Sequence, residues 1–140
     1  MRWHDFEHSK EDKARLEAKV KESPGEAKAQ YEMATMHAYM LDFTTALELC
    51  EIAMNLEPKN VTYHAFRSFV YTNLEEHGRA IEDLVTIIEL GADETDYYVD
   101  VARDAQVGMD KEYAVSKVVD LRKEGKDQVA DKLEEWLINY

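Results

Sequence analysis

Few side chains in this sequence are spaced so that they could carry out chemistry. His4 and His8 are four residues apart, so a helix at this point would place both imidazoles on one side, as two possible metal ligands. Neither a cysteine nor a third histidine is close to them in the sequence. We therefore predict that both histidines are disordered or surface residues and that the chain holds no metal ion.

Asp96, Asp100 and Asp104 also follow a helical spacing. Along one helix, three carboxylates are spread over too long a line to bind a single cation together. Two interpretations remain. The acids either stabilise the start of a helix and otherwise form a solvated face, which is the commoner arrangement, or they form an electrostatic rim that attracts a basic partner.

Cys50 is the only cysteine, so an internal disulfide is impossible. It lies in the apolar phase of a helical segment, with no flanking basic residue, which predicts a buried and unreactive thiol. The sequence contains no glycine-rich nucleotide loop, no paired catalytic motif and no zinc-binding spacing. We therefore predict a protein that is not an enzyme and uses no cofactor.

The charge and hydropathy of the chain exclude other classes of partner. Its net charge is −13, whereas nucleic-acid binding depends on Lys and Arg that neutralise phosphates. No apolar run approaches the roughly 20 residues of a membrane span, and the first residues lack the apolar core of a signal peptide. We expect a soluble cytoplasmic protein that binds neither nucleic acid nor a membrane.

Proline and glycine are scarce, and most of them mark the ends of helical segments. No run of alternating β-branched residues indicates a strand. We predict one all-α domain whose successive helices pack antiparallel, because the loops between them are short. The predicted helices cover about 9–22, 26–40, 43–55, 61–74, 77–89, 94–107, 111–124 and 127–139, with boundaries good to about 2–4 residues.

A spacing of 34 residues organises the chain. Pro24 and Pro58 are separated by this interval, and small residues recur at two fixed phases of it. One set is Ala34, Ser68 and Ala102; the other is Ala46, Ala80 and Ala114. A period of 34 with small residues in phase is typical of a solenoid of helical hairpins.

On these residues the chain resembles the tetratricopeptide repeat family, over about residues 27–126. With repeats counted from Ala27, Val61 and Thr95, the small residues fall at positions 8 and 20, where the family brings two helices close together. The resemblance implies a right-handed superhelix of antiparallel hairpins, with repeats at 27–60, 61–94 and 95–126 after an N-terminal segment at 1–25. The departures include Arg67, where the family has an apolar residue, and the third repeat is the weakest match.

The resemblance also implies a binding groove, because the first helices of such hairpins line a concave surface. Together with the acids of the third repeat, the residues expected to contact a partner are Lys28, Tyr31, Thr35, Tyr39, Phe69, Asn73, Asp96, Val99, Asp100 and Arg103. This mixture of aromatic and hydrogen-bonding groups suits an extended peptide or a partner helix. For each aromatic residue, an ordinary place in the core is an equal alternative.

We therefore expect a non-catalytic module that binds a peptide or helix of another protein. If the acidic rim attracts the partner, the bound segment would be basic. The alternative is a self-associating subunit that uses Trp3 and Phe6 as contacts. The last helix, 127–140, carries an apolar stripe of Val129, Leu133, Trp136, Leu137 and Tyr140. This stripe predicts a cap that covers the open end of the core.

Overall fold

The computed structural model describes residues 10–140, and the side chains from residue 12 onward. Eight helices and no strand occur in these residues, which confirms the predicted all-α fold. Loops of three to seven residues join the helices. The helices are α1 (Lys10–Glu22), α2 (Ala27–Tyr39), α3 (Phe43–Leu56), α4 (Val61–Asn73), α5 (His77–Glu89), α6 (Tyr97–Gln106), α7 (Lys111–Lys123) and α8 (Asp127–Leu137).

The start of α6 differs most from the predicted boundaries. It begins at Tyr97 rather than near residue 94, because Asp96 is its N-cap. The Asp96 carboxylate accepts hydrogen bonds from the backbone N–H groups of Tyr98 and Val99, at 2.9 and 3.2 Å. Just before it, the Asp93 carboxylate accepts from the N–H and the hydroxyl of Thr95 and holds a turn. Because these capping groups fix the first turn, the helix begins three residues later than the sequence pattern predicts.

The first two hairpins form at the small residues that recur with the 34-residue spacing. Helix α2 packs along α3, and α4 packs along α5. Ala34 and Ala46 are completely buried in the first hairpin. In the second, the Ser68 hydroxyl donates to the backbone carbonyl of Ala80 at 2.9 Å, which places α4 directly against the backbone of α5. This close approach is possible because neither helix has a large side chain there.

A repeated hydrogen bond joins each of these hairpins to the segment before it. Gln30 Nε2 donates to the carbonyl of Pro24 at 3.0 Å. His64 occupies the same repeat position, and its Nε2 lies 2.7 Å from the carbonyl of Pro58. The donors and the acceptors are both 34 residues apart, so the sequence period corresponds to a repeated junction.

The turns inside the two hairpins share an unusual backbone conformation. Leu41 and Glu75, again 34 residues apart, have φ angles of 63° and 60°. Each follows the end of a helix, and the next residue closes the turn, through Asp42 N–H to His37 C=O and through Glu76 N–H to Tyr71 C=O. A left-handed residue at this point ends a helix efficiently, although glycine is the residue that usually supplies it.

The third predicted hairpin, between α6 and α7, does not form in the same way. Helix α6 packs mainly on α4, whereas α7 packs mainly on α8, and α6 makes little contact with α7. Ala102 and Ala114 are buried, as their repeat positions predict. However, α6 and α7 do not pack closely against each other at these two alanines. The physical reason is that α8 also packs against α5 and α6, so the last two helices form their own hairpin on this end of the core.

Helix α7 contacts α5 mainly through the ring of Tyr113. A Cβ atom at Gly78 would lie only 3.1 Å from the Tyr113 ring, so the absence of a side chain on Gly78 lets this ring pack against α5. The Tyr113 hydroxyl donates to Glu82 at 2.8 Å, and Lys117 pairs with the same carboxylate at 3.1 Å. The hydrogen bond to Glu82 raises the pKa of Tyr113 to about 12.

Helix α8 buries most of the stripe predicted for it. Leu133, Trp136 and Leu137 are buried, and Trp136 Nε1 donates to a carboxylate oxygen of Glu94 at 3.0 Å. Tyr140 is an exception, since 65% of it is exposed. It lies beyond the last helical residue, Leu137, so the helical spacing that places it on the stripe no longer applies.

Helix α1 packs at the other end of the core, where Leu16 lies against Met33 and Met36 of α2. Over the described part of the chain, no helix combines the length and the apolar composition that a transmembrane helix requires.

We predict that Ala46→Leu destabilises the protein by about 1–3 kcal/mol, because the buried contact between α2 and α3 has no room for three more carbon atoms. Urea unfolding followed by circular dichroism measures this. Ala18→Leu on the exposed face of α1 is the control, and we expect its effect to be within about 0.5 kcal/mol. Equal stability of the two variants would contradict the close approach of α2 and α3.

We predict that Leu133→Ala costs about 2–5 kcal/mol in the free energy of unfolding, because it leaves a cavity beneath α8. Tyr140→Ala, in the same terminal segment but largely exposed, should change the free energy of unfolding by less than about 0.5 kcal/mol. If the two variants unfold at the same urea concentration, α8 does not cover the core.

Candidate functional site

A pocket of about 390 Å³ lies where α1, α2 and α6 meet. We call it the tyrosine pocket, after the two rings that line it, Tyr31 of α2 and Tyr98 of α6. Its other lining residues are Arg15, Leu16, Lys28, Glu32 and Thr35. Three residues expected in a groove from the sequence, Lys28, Tyr31 and Thr35, are therefore brought together on one surface.

The aromatic wall of the tyrosine pocket is held by α4. The Tyr31 ring lies 4.9 Å from the Tyr63 ring and meets the Phe66 ring edge to face at 5.5 Å, both measured between centroids. Such contacts stabilise an aromatic cluster beyond the area it buries. Tyr98 is positioned in turn by an edge-to-face contact with Tyr97, at 5.4 Å. The wall is therefore preorganised by packing within the protein.

Cations predominate at the rim of the tyrosine pocket, although the whole chain is acidic. Lys28 is exposed and has no ion pair within residues 12–140. Arg15 lies 3.6 Å from Asp12. Among the described lining residues of the pocket, Glu32 is the one carboxylate, and it lies 3.9 Å from Lys19. The described lining thus combines aromatic and apolar side chains with positive charge.

Phe69 lines a second, smaller pocket of about 140 Å³ between α4 and α6. Its other lining residues are Val101, Asp104 and Ala105. Only 6% of Phe69 is exposed, so most of this side chain belongs to the core. An aromatic place in the core was one of the two alternatives for this residue, and its burial favours that alternative.

The remaining groove residues differ in exposure. Tyr39 is half-buried near the end of α2, and Asn73 is exposed, with its side-chain amide donating to the Phe69 carbonyl at 2.9 Å. Thr35 is almost buried, and its hydroxyl donates to the Glu32 carbonyl at 2.7 Å. Val99 has no exposed surface and packs in the core. Thr35 and Val99 are thus more deeply buried than Tyr39 and Asn73.

The acids of the third repeat have partners within the protein. Asp96 caps α6, as described above, while Asp100 and Asp104 both lie 3.0 Å from Arg103. Glu94, at the end of the second repeat, accepts a hydrogen bond from Trp136 and lies 3.9 Å from Lys132. These contacts are those expected if the acids stabilise a helix start and a surface ion-pair network. They also reduce the negative charge available to attract a basic partner.

The structure contains a buried polar cluster between α4 and α5 that the sequence analysis did not predict as part of the site. Arg67 makes a two-pronged ion pair with Asp83, with Nε to Oδ2 at 2.9 Å and Nη2 to Oδ1 at 2.7 Å. The Arg67 guanidinium also lies over the Tyr71 ring, 5.6 Å from its centroid. The sequence does show an arginine where the repeat family has an apolar residue, and that departure is the signal of a buried partner on the next helix.

Cys50 lies beside this cluster and is buried, as predicted. Its thiol contacts the Tyr63 carbonyl at 3.4 Å, and burial raises its pKa well above the ordinary value. A thiol in this state is a poor nucleophile.

Among the described residues, no group of three or more His, Cys, Asp and Glu side chains is arranged to hold a metal ion. The pair His4 and His8, like Trp3 and Phe6, lies outside these residues.

Comparison of the chain with protein-family models, with curated proteins and with solved structures gives no match. Inferences about its function therefore depend on the geometry described above.

We predict that Phe69→Ala lowers the free energy of unfolding by about 3–5 kcal/mol, because it removes a nearly buried ring from the core. Asn73→Ala, one turn further along α4 but at an exposed position, should change it by less than about 0.5 kcal/mol. Thermal and urea unfolding measure both variants. If Phe69→Ala is as stable as Asn73→Ala, then Phe69 is a surface residue that is available to a partner.

Proposed function

We propose that this protein is a non-catalytic binding module, similar to tetratricopeptide repeat proteins, which holds a peptide or helix of another protein at the tyrosine pocket. The observation that carries this proposal is the preorganised pocket itself, in which aromatic rings from α2 and α6 meet an apolar side chain of α1. Concave sites with an apolar lining and a few polar groups are the usual form of a recognition site.

The arrangement of the helices supports the comparison with this repeat family. The small residues recur with the family's spacing, and two successive hairpins reproduce the same junction and the same turn. A right-handed superhelix belongs to this proposal because it comes with the family, and a cytoplasmic location belongs to it because the composition of the sequence leads us to expect one. The different packing of α6, α7 and α8 limits the regular array to the first two hairpins.

The tyrosine pocket suits a partner with a large apolar side chain. Tyrosine rings offer wide contact area at a small cost in side-chain entropy, and Tyr31 is already fixed by its neighbours. In addition, Lys28 and Arg15 at the rim can pair with carboxylate groups of the partner. The acids of α6 would steer a basic segment only through the charge that remains after their pairing with Arg103.

Self-association is the second candidate, and α7 provides the observation that favours it. Val115 and Val119 lie one helical turn apart, with 43% and 46% of each exposed. An apolar pair on an outer helix is a surface that a second copy could cover.

A photo-crosslinking amino acid tests the two candidates. We predict that p-benzoylphenylalanine in place of Lys28, at the rim of the tyrosine pocket, forms a covalent adduct with another protein when cells that express the chain are irradiated. The matched control carries the same amino acid in place of Val119, and we expect no such adduct from it. Added Tyr98→Ala should abolish the adduct at position 28, because it removes one wall of the pocket.

Adducts with a second copy of the chain, formed from position 119, would identify the protein as a self-associating subunit. An adduct at position 28 that persists with Tyr98→Ala, or no adduct at that position, would contradict binding at the tyrosine pocket.

A further inference from the structure

His64 lies in the first turn of α4, at the junction between the first and second hairpins. The residue is 8% exposed, and its ring lies between two oxygen atoms. Nε2 is 2.7 Å from the carbonyl oxygen of Pro58, in the loop that precedes α4. Nδ1 is 3.7 Å from Oδ1 of Asp83 on α5, and it is a buried atom without a hydrogen bond.

Neither neutral tautomer of this imidazole suits its surroundings. If Nε2 carries the proton, the ring donates to Pro58, but the lone pair of Nδ1 faces the carboxylate of Asp83. If Nδ1 carries the proton, the lone pair of Nε2 faces the Pro58 carbonyl at 2.7 Å. Only the doubly protonated ring presents an N–H group to each oxygen atom. An unpaired buried acceptor is costly, so the site favours the imidazolium.

The charges around His64 come from three helices. Asp83 of α5 favours the imidazolium, whereas Arg67 of α4, which is paired with the same carboxylate, opposes it. Glu51 of α3 raises the pKa of Arg67 and so helps to keep its guanidinium charged. The thiol of Cys50 and the phenols of Tyr63 and Tyr71 are uncharged near neutral pH, because burial raises their pKa values. The carboxylate of Glu57, in the loop before α4, acts on Tyr63.

The balance of these effects raises the pKa of His64. The largest cause is the attraction of the Asp83 carboxylate for a proton on Nδ1, 3.7 Å away; burial lowers the pKa, and the Pro58 carbonyl raises it again. The charged form is therefore retained to a higher pH in the folded protein than in the unfolded chain.

The first repeat contains a version of this junction that cannot titrate. Gln30 occupies the position that corresponds to His64, and its amide donates to the carbonyl of Pro24 at 3.0 Å. An amide supplies this hydrogen bond at any pH, whereas an imidazole can supply one or two according to its protonation. The chain thus combines a fixed junction with a titratable one.

We propose that His64 is a proton-dependent brace between the first two hairpins. In its charged form it connects the loop at Pro58 to Asp83 on α5, and loss of one proton releases one of the two contacts. The junction is therefore tighter in mildly acidic solution than in alkaline solution.

The sign of the effect follows from linkage. A histidine whose pKa is higher in the folded state adds its full stabilisation below the unfolded value of about 6.5. This stabilisation is lost as the pH rises through the folded pKa. Each unit by which the folded pKa exceeds the unfolded one corresponds to a tenfold change in the unfolding equilibrium constant, about 1.4 kcal/mol.

The test compares the full chain with its His64→Gln variant, which gives the second repeat the side chain of the first. Urea unfolding at pH 5.5, 7 and 9 measures the unfolding equilibrium constant of each. We expect the advantage of the original chain over the variant to be greatest at pH 5.5 and to fall several-fold by pH 9. Since the other histidines are present in both proteins, the difference isolates His64.

An NMR titration of the His64 ring protons in the original chain provides a measurement that needs no variant. We expect a midpoint above about 6.5, together with shifts of the backbone amides of residues 57–60 and of Asp83 at the same midpoint. A midpoint below this value, or an equal pH dependence of the original chain and His64→Gln, would overturn the proposal. If His64→Gln does not fold, the midpoint of the ring and of these amides decides.

Discussion

The close approach of paired helices at small side chains is the constraint on which this structure depends. Where α4 meets α5, a serine hydroxyl reaches the backbone carbonyl of the opposite helix, which leaves no space for a larger residue. This contact sets the position of α4 relative to α5. The position of the two helices in turn determines which of their faces can pack against the neighbouring hairpin. The apolar faces of α4 and α5 then bury the residues that dominate the core, among them Phe66, Ile81 and Leu84. The tyrosine pocket is a consequence of this order, because Tyr31 is held by rings of α4.

The polar contacts at the junctions between units give the array its register. Apolar faces alone allow helices to slide past one another, whereas a side chain that must reach one particular carbonyl does not. Gln30 and His64 provide such contacts for the first two units. Tyr98 occupies the corresponding position of the third unit, where the chain leaves the regular pattern and α6 packs on α4 rather than on α7. Tyr98 lines the tyrosine pocket.

Much of the fold is predictable from the sequence, because its signals are local. Capping acids, prolines and glycines place seven of the helix starts to within a residue or so, and the periodic small residues predict the first two hairpins. The packing of α7 on α8 is not predictable in this way, since a buried alanine such as Ala114 indicates limited space without indicating which helix limits it. In the candidate site, Lys28, Tyr31 and Thr35 do share one pocket, but the contribution of α1 and the burial of Val99 depend on tertiary contacts.

The left-handed turns at Leu41 and Glu75 also bear on how the chain reaches this structure. A residue with a side chain resists that conformation by about 1–2 kcal/mol, so an isolated segment spends little time in it. The packed helices on either side must therefore hold the turn in place. We therefore expect such a turn to be a poor nucleus for folding, and to form after the two helices have met. In each hairpin the two helices would then pack first and the turn would form afterwards. A hairpin with a favourable turn would form in the opposite order.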